Sequence, residues 1–77
     1  LPIRVELLSL SKDDFKLMLF PVNKRIELFN LKEDPNEIND LSTLTEYDHL
    51  VKSLFNDLVE IQKGVNDTLD LKKIFGI

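Results

Sequence analysis

The period of the apolar residues changes partway along the chain. Up to Asn30 they alternate with polar residues, as in strands with one buried face. From Tyr47 onward they recur every three to four positions, as on one side of a helix. Strands first and a long helix second predict an α+β unit: a small antiparallel sheet of three or four strands with one amphipathic helix packed across one face. Ile3, Val5 and Leu7 alternate with Arg4 and Glu6, so a first strand is expected over Ile3 to Leu10, with Leu7-Leu8 blurring its phase. Ser11-Lys12-Asp13-Asp14 reads as the break that follows. Phe15 to Phe20 forms a second apolar run, and Pro21-Val22-Asn23-Lys24 carries the Pro and Asn of a hairpin connection to a third strand, Arg25 to Asn30. That link is too short for a parallel crossover, so strands two and three pair antiparallel. Ile26, Leu28 and Asn30 then share one face, with Glu27, Phe29 and Leu31 on the other.

Residues 32–40 (KEDPNEIND) are polar and hold four acidic side chains, so they form a connector outside the core. Pro35 is suited to open a single helical turn capped by Asp34, after which Leu41 returns to the core. Thr43 precedes Glu46 by three, the capping-box spacing, which predicts a helix from about Thr45 to Lys63. Its apolar stripe is Tyr47, Leu50, Val51, Leu54, Phe55, Leu58, Ile61 and Val65, with Leu50, Leu54, Leu58 and Ile61 expected against the sheet. Asp48, Lys52, Asn56, Glu60 and Lys63 make up the opposite face, and Asp48 and Lys52 have the favourable i, i+4 order. Gly64 is the expected stop. Leu69, Leu71, Ile74 and Phe75 in the tail need somewhere to dock.

At 77 residues the chain is one small domain, 1–77, or a piece of a larger one. A chain this short buries only about 60% of its unfolded surface, and small scaffolds usually add disulfides or a metal. With no Cys and one His, neither is available from Cys-based chemistry, so the missing stability is expected from a partner surface or a parent chain. The start at Leu1 rather than Met fits the same expectation of a fragment. Ten basic against fourteen acidic residues give a net charge of −4, which argues against nucleic acid as a partner. No apolar run approaches the roughly 18 residues of a membrane span, so no membrane partner is expected either.

Little in the chain points to catalysis. A nucleophile needs a titratable partner, and His49 falls on the charged side of the predicted helix, where a solvated role is expected. Asp34, Asn36, Glu37 and Asp40 resemble calcium ligands in composition only, since the loop lacks the spacing and closing Glu of a calcium loop. The same carboxylates lack an apolar setting that would tune an acid/base pair. Asn66-Asp67-Thr68 matches the N-glycosylation acceptor pattern. Phe15, Phe20 and Phe29 are read as core in preference to a stacking platform. With Gly64 and Gly76 the only glycines, no phosphate-cradling loop exists. No catalytic, cofactor-binding or metal-ligating residue is assigned.

One stretch is more specific. Phe15-Lys16-Leu17-Met18-Leu19, then Glu27-Leu28-Phe29-Asn30-Leu31, then Asp34-Pro35-x-Glu37-x-x-Asp40-Leu41, then a helix ending Leu58-x-x-Ile61-Gln62-Lys63, together resemble the C-terminal end of type I sulfatases over about Asp14 to Leu71. The family has an aromatic-Lys strand, a Glu-Leu-Tyr/Phe-Asp-Leu strand, an Asp-Pro-x-Glu-x-x-Asn-Leu connector and a helix finishing near Trp-Gln or Leu-Gln. This chain departs at Asp40, where many members have Asn, and at Ser11-Lys12, where many have Arg-Thr ahead of the first strand. The resemblance implies a secreted or periplasmic parent hydrolysing sulfate esters or sulfamates with a calcium ion and a formylglycine made in a C/S-x-P-x-R motif. None of that machinery lies in these residues. It also implies a small C-terminal domain of four antiparallel strands with a helix across them, its partner being the N-terminal catalytic domain; the fourth strand is expected from the tail or from sequence beyond this chain.

Two functions from different classes follow. One is a non-catalytic structural and docking subdomain of such a hydrolase; the alternative is an autonomous α+β protein-interaction module that binds through an open sheet face or edge. Because a helix covers one face only, Phe29 and Leu31 are expected to lack cover unless Leu69 to Ile77 folds over them, and self-association through that face is expected of the isolated chain.

Overall fold

The computed structural model describes residues 8–64 and 70–76. Three antiparallel strands, β1 (Leu8–Lys12), β2 (Phe15–Phe20) and β3 (Arg25–Asn30), form a sheet in the order β1-β2-β3. The second and third strands lie where alternation puts them, with Leu17 opposite Leu28 and Lys16 opposite Phe29. The first runs two residues further than expected: Ser11 and Lys12, expected in the turn, are the last strand residues, paired with Lys16 and Phe15. Residues 3–7 of the expected strand lie outside the described residues.

The turn is therefore Asp13-Asp14 alone, at φ 51° and 67°. Two consecutive left-handed residues match the right-handed twist of a hairpin, and Asp is among the few side chains that tolerate them. The Asp14 carbonyl also accepts the Leu31 N–H at 2.7 Å, extending the β2–β3 ladder past the turn. Asn-Gly fits these angles better still. Asp13→Asn combined with Asp14→Gly is expected to stabilise the chain by about 0.5–1 kcal/mol. A urea midpoint unchanged or lowered would contradict the turn geometry.

A 3-10 turn (Thr45–Tyr47) runs directly into helix α1 (Asp48–Gly64). The capping box does not form. Thr43 lies within a turn closed by the Leu44 N–H on the Leu41 carbonyl, and Leu44, extended at ψ 129°, takes the cap position without a side-chain acceptor. The buried stripe is Val51, Leu54, Phe55, Leu58, Val59 and Gln62. Of the four residues expected against the sheet, Leu54 and Leu58 are buried and Leu50 packs at the margin, but Ile61 is 55% exposed. The stripe drifts because 3.6 residues per turn carries Val59 and Gln62 round to the core and Ile61 away from it. Asp48 and Lys52 pair as expected, at 3.2 Å.

The core lies between α1 and one sheet face. Leu17, Leu19 and Leu28 are completely buried against Val51, Leu54, Phe55, Leu58 and Val59, with Leu8, Leu10, Phe15 and Ile26 at the margin. The tail adds a helix, α2 (Leu71–Phe75), where a fourth strand was one expectation. Leu71 is buried in the same core, and Phe75 meets Phe55 edge-on at 5.8 Å between centroids. Asp70 caps α2 by accepting the Lys73 N–H at 3.1 Å. The left-handed stop glycine is Gly76, at φ 69°, donating to the Lys72 carbonyl; Gly64 is simply the last residue of α1. Leu69 lies outside the described residues.

The expectation of a bare Phe29 is overturned. Phe29 is 5% exposed and Leu31 half-buried, although α2 docks on the opposite side. On that side of the sheet Glu37 of the connector pairs with Lys16, the cross-strand neighbour of Phe29, at 3.0 Å.

Candidate functional site

The motif residues converge on the outer edge of β3. Leaving β3, the chain makes a tight turn in which the Asn30 Oδ1 accepts the N–H groups of Lys32 and Glu33, at 3.1 and 3.3 Å. The Asp34 N–H then donates to the Asn30 carbonyl at 2.7 Å. The expected helical turn at Pro35 is instead a reverse turn, closed by the Glu37 N–H on the Asp34 carbonyl at 3.1 Å, with Pro35 at its favoured second position. Glu37 at φ 54° swings the backbone round. Asp34 does act as a cap, but of this loop: its carboxylate accepts the N–H groups of Ile38 and Asn39, the latter at 2.8 Å.

The chain next runs back along β3. The Asp40 Oδ1 accepts the Leu28 N–H at 3.0 Å and the Ser42 N–H at 2.9 Å. The Leu41 N–H donates to the Leu28 carbonyl at 2.8 Å, and the Ser42 hydroxyl to the Ile26 carbonyl at 3.0 Å. Leu41 packs against the core, as its place after the connector predicts. Partial burial pushes the Asp40 carboxyl up, but the Leu28 and Ser42 N–H groups, the Ser42 side chain and the Arg25 charge outweigh it, so the acid sits below its ordinary value. The single hydroxyl proton of Ser42 goes to Ile26, which leaves the two backbone N–H groups as the principal stabilisers of the anion.

The other candidates are dispersed. His49 is exposed on α1. Asn36 is exposed, and Asp34 and Asp40 turn their oxygens onto backbone N–H groups; among the described residues no group of three His, Asp or Glu is placed to hold a metal. Phe15 lies on the core face and meets Tyr47 at 5.9 Å, whereas Phe20 and Phe29 belong to the opposite face by strand register. Asn66-Asp67-Thr68 lies outside the described residues. No described helix is long and apolar enough to cross a membrane.

Sequence reasoning missed Ser42 and Gln62. Ser42 has no signal beyond following the connector, because its role depends on how β3 and the connector align. Gln62 falls four residues after Leu58, in line with the stripe, and is 6% exposed with its amide nitrogen unpartnered among the described residues. No family model, curated protein or solved structure matches the chain.

Proposed function

We propose that this chain is the non-catalytic C-terminal structural and docking subdomain of a sulfatase-family hydrolase of sulfate esters or sulfamates, periplasmic or secreted, whose partner is the N-terminal catalytic domain of the same parent. Calcium and the formylglycine belong to that parent domain. One observation carries the reading. The charged residues of Asp34-Pro35-x-Glu37-x-x-Asp40-Leu41, one of the four elements of the resemblance, all face partners within the chain: Asp34 and Asp40 by hydrogen bonds to their own loop and to the edge of β3, Glu37 by an ion pair with Lys16. A motif used in this way builds a scaffold and leaves no group free for chemistry. The alternative interaction module needs an open sheet face or edge; on the face away from α1, Phe29 is buried and Phe20 half-buried, and the β3 edge is bonded to the connector.

The test is the parent reading frame. A C/S-x-P-x-R motif and a metal-binding Asp-Asp are expected within a few hundred codons upstream, and a complete frame lacking both would overturn the reading. The isolated chain is expected to hydrolyse no aryl sulfate, because it supplies neither the nucleophile nor a metal-polarised sulfate site. Turnover that persists through repurification and chelation would reveal a missed active site.

A further inference from the structure

Every outward-facing group of β3 for which a bond has been described is held by the connector: the Ile26 carbonyl by the Ser42 hydroxyl, the Leu28 N–H by the Asp40 carboxylate, the Leu28 carbonyl by the Leu41 N–H, and the Asn30 carbonyl by the Asp34 N–H. Along residues 40–42 only the Leu41 bond is backbone to backbone. The bonds on either side of it come from side chains standing in for a strand. We propose that Asp40-Leu41-Ser42 is a detachable strap that keeps the β3 edge from pairing with the β3 edge of a second copy of this chain.

The occupant follows from the edge itself. In an antiparallel two-fold pairing centred on Leu28, the two Leu28 residues exchange N–H and C=O with one another, the very groups the strap now holds. In that register Glu27 lies opposite the other copy's Phe29 and Arg25 opposite its Leu31, so no like charges meet within β3, and the one like-charged pair, Lys24 with Lys32, falls beyond the ends of the strand. An exposed edge strand with unpaired backbone groups is a template for such pairing. A strap made partly of side chains can be removed without touching the strand that it covers.

Sedimentation over a hundredfold concentration range, combined with hydrogen exchange at the Leu28 amide, tests this on the whole chain. Asp40→Ala with Ser42→Ala is expected to strengthen self-association at least tenfold over wild type, with Leu28 protected in the dimer and exchanging faster on dilution. Asp40→Asn keeps an acceptor oxygen but loses the charge, and is expected to associate more strongly than wild type and less strongly than the double variant. A folded double variant that stays monomeric, with an unprotected Leu28 amide, overturns the proposal. If the double variant loses its near-ultraviolet dichroism, Ser42→Ala alone decides: association about threefold stronger than wild type supports the strap, and unchanged association overturns it.

Discussion

Replacing Phe55 by Ala is expected to leave the chain without a cooperative unfolding transition at 25 °C. Phe55 is the largest of the fully buried side chains, at 0% exposure, and it links two packing events. It fills the space between α1 and the sheet leucines, and it offers the edge-to-face surface on which Phe75 holds α2. Truncating a buried Phe costs about 3–5 kcal/mol, because the cavity cannot fully collapse. A 77-residue chain has only about 4–12 kcal/mol to lose, and small domains sit toward the bottom of that range. The cost and the reserve are therefore comparable, and the α2 contact goes with the ring. Ile61→Ala is the matched control. Ile61 has the periodicity of a core residue yet is 55% exposed, so its truncation is expected to cost no more than about 0.5 kcal/mol. Urea unfolding followed by circular dichroism checks both. A Phe55→Ala chain that unfolds within about 1 kcal/mol of wild type, or an Ile61→Ala chain as damaged as Phe55→Ala, would mean that α1 is rotated from the position described.

That contrast marks how far the sequence could be read. Period and turn chemistry were enough for β2, β3 and the existence of the long helix, because each rests on local alternation and on one short loop whose length forces antiparallel pairing. The rotation of α1 was not legible at its C-terminal end. Ile61 and Val59 are both apolar, and only the sheet decides which of them turns inward. The Asp13-Asp14 turn was hidden because Ser11 and Lys12 are as polar as the turn beside them, and an exposed edge strand need not look apolar. The strap was the least legible feature. Asp40 and Ser42 act on Leu28 and Ile26, twelve and sixteen residues away, and no local pattern encodes a partner at that distance. The connector was correctly read as lying outside the core, yet its polar side chains proved to be bonded along the β3 edge.

Acid should destabilise the chain through Asp40, and Asp40→Asn should remove that part of the response. Its carboxyl is held below the ordinary value of 3.8: burial works against the anion, but the N–H groups of Leu28 and Ser42, with Arg25 behind them, win. A group whose folded pKa is depressed adds stability that is fully present above its unfolded pKa and is lost as pH falls through the folded one. The loss therefore begins as pH drops past about 4 and is complete only below the folded value, which lies under 3.8. Protonation weakens the carboxylate as acceptor for both N–H groups at once; hydrogen bonds to a charged group contribute about 1.5–3 kcal/mol when buried, and solvent screening at this partly exposed carboxylate reduces that. Asn at position 40 keeps one acceptor oxygen and does not titrate, so the variant is expected to be less stable than wild type at pH 7 and to close that gap as pH falls from about 5 to 3. The remaining carboxylates are common to both chains and cancel in the difference. Urea midpoints of the two chains at half-unit steps over that window measure it. A gap that stays constant or widens toward low pH would show that Asp40 is not the anion holding the connector to β3.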